Sequence, residues 1–96
     1  MASNPPKGHF HILYFAAAGS YTSKQVEALP APLPLSKLFA TLEARYEGIT
    51  AGVLDSSLVT INLEYVDLPG AEGEGGEDVI IQEGDEVAII PPVSSG

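Results

Sequence analysis

Apolar residues gather in four stretches of the chain, and their spacing differs from one stretch to the next. "HFHILYFAAAG", residues 9–19, interleaves aromatic and aliphatic side chains and stops at Gly19. It predicts a strand with both faces covered. "LSKLFATLEARYEG", residues 35–48, carries Leu35, Leu38, Phe39, Leu42 and Tyr46 at helical spacing, which makes one apolar stripe. Ser36 reads as the N-cap of this helix and Gly48 as its left-handed C-terminal cap. Burying four such side chains stabilises the fold by on the order of 6–12 kcal/mol before chain entropy is subtracted. The stripe is therefore read as core rather than as a face for a partner.

"SLVTINLEYVDL", residues 57–68, alternates with period two. It predicts one half-buried strand, with Val59, Ile61, Leu63 and Tyr65 turned one way and Thr60, Asn62 and Glu64 the other. "DVIIQEGDEVAIIPP", residues 78–92, predicts two short strands around a turn at Glu83, Gly84, Asp85 and Glu86. Pro91 and Pro92 then end the hydrogen-bond ladder. Phe10, Leu63 and Ile89 are assigned to the core.

The intervening segments are polar or proline-rich. Residues 20–34 hold "LPAPLP", whose alternate prolines lack ladder donors, and they read as a loop leading into the helix. "PGAEGEGGED", residues 69–78, combines four glycines with four acids and reads as a mobile loop. Its "GEGG" is no phosphate cradle, because the acids repel phosphate and no helical pattern follows. A helix followed by strands predicts an α+β domain of two layers, with a mixed sheet and the main helix packed on one face.

Composition narrows the chemistry. Ninety-six residues make one domain, and the chain has no cysteine, so disulfides, zinc–thiolate sites and cysteine nucleophiles are excluded. Thirteen acids face four bases, and residues 46–96 hold eleven acids with no lysine or arginine. Such a field disfavours nucleic acid and favours encounter with a basic protein partner. His9 and His11 lie two apart at a strand start with no third ligand nearby, so no metal site is assigned. No apolar run approaches a membrane span, and "MASNPPKG" has no signal-peptide core, so a soluble cytosolic protein is expected.

The C-terminus raises a different question. After an apolar strand and two prolines come Val93, Ser94, Ser95 and Gly96, with no large side chain beyond Val93. Such an end is either a frayed terminus or a thread able to enter a narrow channel on a partner. In the second case the Gly96 carboxylate is the working group, and glycine removes the Cβ beside the reacting carbonyl.

"GDEVAIIPPVS" with its C-terminal glycine, "NLEYVD" and "LSKLFATLEARYEG" together resemble the small, sulfur-carrier subunit of molybdopterin synthase, in its eukaryotic, fungal-type form. The resemblance runs from about His9 to Gly96. The double proline favours this family over related carriers and modifiers of the same fold, such as the thiamin sulfur carrier and ubiquitin. It implies a β-grasp (ubiquitin-like) domain over residues 9–92, a flexible N-terminus at 1–8 and a flexible functional tail at 93–96. It also implies that an activating enzyme related to ubiquitin activators adenylates Gly96 with ATP and that a persulfide-bearing sulfurtransferase step makes it a thiocarboxylate. The large catalytic subunit, expected in a two-plus-two heterotetramer, would hold the tail while sulfur passes to a cyclic pyranopterin monophosphate. No permanently bound cofactor is implied, and the catalytic acids and bases would belong to the partners. Pro91, Pro92, Val93, Ser94 and Ser95 are the tail-docking residues on this reading, and Asp85 and Glu86 are candidates for partner contact. Ser95 stands where the family usually has a second glycine. A protein modifier joined to lysines through the same carboxylate, and a structural adaptor, are the alternative readings.

Overall fold

The computed structural model describes residues 5–66 and 79–92. It is a five-stranded mixed sheet with helices on one face, the α+β β-grasp architecture expected. The elements are β1 (His9–Tyr14), α1 (Ala17–Thr22), β2 (Val26–Pro30), β3 (Leu33–Pro34), α2 (Leu38–Arg45), α3 (Ile49–Gly52), β4 (Leu58–Ile61), β5 (Glu64–Val66), β6 (Ile80–Ile81) and β7 (Glu86–Ile90). Single 3-10 turns at Leu35–Lys37 and Leu54–Ser56 flank the helical region. The sheet order is β2-β1-β7-β4-β5, and β3 and β6 form a separate two-stranded ribbon. Only β1 and β7 run parallel in the main sheet; the other pairs are antiparallel.

Register sorts the side chains into two faces. Phe10, Ile12 and Tyr14 of β1 lie level with Val87 and Ile89 of β7 and with Val59 of β4, and all six are buried. Leu35, Leu38 and Leu42 close this core from the helical side, with Phe39 and Tyr46 packed at its margin, so the predicted stripe is the core face of α2. Val26, His11, Leu13, Ala88, Ile90, Leu58, Thr60 and Tyr65 belong to the opposite face.

Several local expectations are corrected. The first strand stops at Tyr14, because Ala16 takes φ 51° and turns the chain into α1; "AAG" is helical. Its outer-face residues His9, His11 and Leu13 are only half-buried, so one face alone is fully covered. Residues 26–30 form an edge strand rather than a loop, a place where Pro30 is tolerated because no further strand pairs there. Ser36 lies inside a 3-10 turn, and neither that turn nor α2 has a side-chain hydrogen bond at its N-cap. Gly48 is left-handed as expected (φ 87°), yet it opens α3 rather than closing α2, whose C-cap is Tyr46. Residues 58–66 are a hairpin, not one strand: Ile61 faces Glu64 across a two-residue turn at Asn62 and Leu63, both with positive φ as in a type I′ turn. Leu63, assigned to the core, is 84% exposed at the tip. β6 and β7 flank the expected turn but pair with different strands.

Candidate functional site

β7 lies between β1 and β4, with Val87, Ala88 and Ile89 buried, so both its edges are hydrogen-bonded and its position is fixed. The ladder ends at Ile90; Pro91 is buried and Pro92 exposed. Val93, Ser94, Ser95 and Gly96 lie outside the described residues, as do the acidic glycine-rich loop at 69–78 and residues 1–4.

Asp85 and Glu86 sit where β7 begins. The Asp85 carboxylate accepts hydrogen bonds from the Gln82 N–H (2.8 Å) and the Asn62 side-chain amide (3.1 Å). The Asn62 Oδ1 accepts from the Glu86 N–H (3.0 Å), and the Asn62 N–H donates to the Glu86 carbonyl (2.7 Å). Asn62 therefore ties the β4–β5 turn to the start of β7. Gly84, with φ 85°, supplies the left-handed residue of the turn. One Asp85 carboxylate oxygen serves this turn and the other the β4–β5 turn, and the Glu86 backbone is held by Asn62 as well.

The helix-free face beside β7 carries exposed apolar side chains. Leu58 (56% exposed) and Tyr65 (71%) stand on β4 and β5, Val26 on β2, and Phe15 follows β1. Leu58 is level with Ile90, and the Phe15 N–H donates to the Ile89 carbonyl (3.2 Å), so these two side chains flank the point where β7 gives way to the prolines.

On the inner face Arg45, at the end of α2, and Lys24, just before β2, converge on one acid. The Glu27 carboxylate accepts from the hydroxyls of Tyr14 (2.8 Å) and Tyr46 (2.7 Å) at Oε1. At Oε2 it accepts from Arg45 (2.9 Å) and Lys24 (3.2 Å). The Tyr14 and Tyr46 rings meet edge to face at 6.3 Å, and the Lys24 ammonium lies 5.6 Å from the Tyr46 ring centre. Partial burial pushes the Glu27 carboxyl up, but hydrogen bonds from Tyr46, Tyr14 and Lys24 outweigh it, and its pKa falls below the ordinary carboxylate value. Burial, and then the bond to Glu27, hold the Tyr14 phenol above its usual range. Glu43 is also lowered, by the Gly48 N–H (2.6 Å) and the Thr50 N–H (3.0 Å) that it accepts at the start of α3.

Sequence reasoning missed Glu27 because its segment read as a loop; no motif marks an acid whose partners come from β1, the end of α2 and the turn before its own strand. A shallow cleft of about 430 Å³ opens beside this cluster, lined by Tyr14, Ala16, Gly19, Ser20, Ser23, Lys24 and Gln25. Its one cation, Lys24, is already committed to Glu27 and Tyr46. Among the described residues no group of three His, Asp or Glu side chains is placed to hold a metal, and no helix is long and apolar enough to cross a membrane. The geometry offers a strand hydrogen-bonded on both edges, with exposed apolar side chains where it gives way to Pro91 and Pro92.

Comparison with known proteins agrees with that geometry. A family model described as the ThiS family matches residues 12–96. The molybdopterin synthase sulfur carrier subunit of Phaeosphaeria nodorum is 59% identical over 92 residues, covering 95% of this chain and 94% of that protein. SAMP1 from Haloferax volcanii has a TM-score of 0.70 at 21% identity, over 93% of this chain and all of that one. A chain in the complex of subunits 1 and 2 of the molybdopterin-converting factor from Helicobacter pylori has a TM-score of 0.61 at 19% identity, over 92% and 99%. At those identities the likeness to solved structures speaks for the fold alone.

Proposed function

This chain belongs to the ThiS family, and from that premise we propose that it is the sulfur carrier subunit of molybdopterin synthase, working through its C-terminal Gly96. The observation that carries the reading is the 59% identity, along almost the whole chain, to a protein of that name.

The chemistry asked of the terminus suits a chain without cysteine. A carboxylate is a poor electrophile, so an adenylating enzyme spends ATP to give Gly96 a leaving group. The terminal sulfur of a sulfurtransferase persulfide then displaces AMP to give an acyl disulfide, and a second thiol cleaves its S–S bond, ending as a disulfide itself and releasing the thiocarboxylate, a soft nucleophile. In the active site of the large subunit it donates sulfur to a cyclic pyranopterin monophosphate, and two such transfers build a dithiolene. The body holds the tail near its target and so raises effective molarity.

The reach of the tail limits where partners sit. Four residues beyond Pro92 span at most about 14 Å when extended. A partner acting on Gly96 must therefore cover the surface around the β7 exit. We assign the apolar face of Phe15, Leu58, Ile90 and Tyr65 to the large subunit, in a two-plus-two assembly in the cytosol. Val93, Ser94 and Ser95 lie in its channel, and Pro91 and Pro92 aim them. Glu86 and the acidic surface near it guide the encounter with basic partners.

Mass spectrometry of the full chain, after incubation with the activating enzyme, ATP and a sulfur donor, tests the proposal. A terminal mass gain equal to an oxygen-to-sulfur exchange is expected, lost when Gly96 is deleted. An unchanged terminus refutes it, and high-mass conjugates to lysines in its place would establish a modifier. Ser95 restricts the backbone more than glycine does, so Ser95→Gly should speed transfer to the pterin.

A further inference from the structure

Gly8, Gly48 and Gly84 take positive φ, as glycine readily does. Ala16, Ser23, Asn62 and Leu63 do so as well, and Leu63 is the outlier among them. It occupies the second central position of a type I′ turn, where glycine is preferred because a left-handed backbone crowds a Cβ against the next carbonyl. Its side chain is also 84% exposed, the highest value among the large apolar residues described. One residue thus carries both a backbone cost and an apolar surface in water, and nothing in the described chain offsets either.

The turn that displays it is held firmly. Asn62 makes three hydrogen bonds to Asp85 and Glu86, so the tip is ordered before any partner arrives, which reduces the entropy lost on docking. β7 runs from this clamp to the tail. Its five residues place Leu63 and the tail exit roughly 17 Å apart along the strand, at about 3.3 Å per residue. A protein interface of standard size covers about 800 Å² per partner, a patch roughly 28 Å across. A partner that seats the tail and makes an interface of that size reaches the hairpin as well.

We infer that Leu63 is an anchor for the large synthase subunit, at the end of its footprint opposite the tail. The inference rests on the carrier reading above. Its side chain enters an apolar recess of that subunit, and the strain of the left-handed leucine is offset only in the complex.

Full-length wild type, Leu63→Gly, Leu63→Asn and Leu63→Met would be titrated with the cognate large subunit and melted alone. Glycine and asparagine both accept the left-handed backbone, so these variants should melt at or above the wild-type temperature. Both should bind about tenfold more weakly, about 1.4 kcal/mol, chiefly through faster dissociation. Leu63→Met, which restores an apolar side chain of similar volume, should keep most of the affinity. Wild-type affinity in the glycine and asparagine variants overturns the inference. Weakened binding only to the activating enzyme, or only to a second copy of the chain, overturns it too. A wild-type chain that does not bind the large subunit at all refutes the underlying carrier reading instead.

Discussion

Replacing Glu27 by alanine should be the most damaging single polar substitution among the described residues. The Tyr14 hydroxyl is buried with a residue exposure of 3%, and Glu27 is the acceptor it donates to. Stranding it costs about 1–3 kcal/mol. The Tyr46 hydroxyl is half-buried and loses the same acceptor, for about 0.5–1.5 kcal/mol more. Arg45 and Lys24 contribute little, since their side chains are 44% and 48% exposed and water screens the pairs. The total is about 3 kcal/mol, a large share of the roughly 5–15 kcal/mol that holds a domain together. For a chain of this length it lowers the melting temperature by about 12–24 °C. Glu27→Gln keeps a carbonyl oxygen where both tyrosines donate, so it should cost about 1 kcal/mol or less. Urea denaturation at neutral pH, followed by circular dichroism, separates the two variants. A cycle with Tyr14→Phe then isolates the Tyr14–Glu27 coupling. If Glu27→Ala and Glu27→Gln both lie within about 0.5 kcal/mol of wild type, as ordinary surface changes do, the network is not a stabilising hub.

The same carboxylate makes stability pH-dependent. Its folded pKa lies below the ordinary 4.5, so its contribution is full above that value and fades as pH falls through the folded pKa. The gap in denaturation midpoint between wild type and Glu27→Gln should therefore narrow on acidification below about pH 4.5, and a constant gap would contradict the assignment. Gly48→Ala should destabilise by about 1–3 kcal/mol. Its φ is 87°, and a Cβ there would lie 2.7 Å from the Tyr21 hydroxyl, which donates to the Glu47 carbonyl. In a Tyr21→Phe background the cost should fall, and an unchanged cost would rule out the steric part.

The parts of the fold legible in the sequence were those with one strong period and one partner layer. The stripe of Leu35, Leu38 and Leu42 could serve no other purpose than burial, and the block from Glu86 to Pro92 carried its strand and its stop together. The hairpin was hidden by parity. A two-residue turn leaves the period-two alternation unbroken along the sequence but exchanges odd and even positions between faces. Tyr65 therefore joins Thr60 on the outer face, not Val59 on the inner one. Leucine in place of the usual glycine left Asn62 alone to mark the turn. The edge strand at Val26–Pro30 was hidden by prolines that an unpaired edge accepts. The Glu27 cluster was hidden because its donors stand up to nineteen positions away. The terminal residues Val93 to Gly96 stand out in the sequence as a composition change alone.

The strand made last during synthesis occupies the middle of the sheet, next to the strand made first, with His11 level with Glu86. Until it is inserted, β1 and β4 have no common neighbour and the sheet is two separate pieces. A chain released early on the ribosome therefore lacks its keystone and presents itself to the proteolytic machinery as unfinished. Any copy that passes as a folded sheet has therefore been translated through β7, and the architecture screens out molecules that stop short of it.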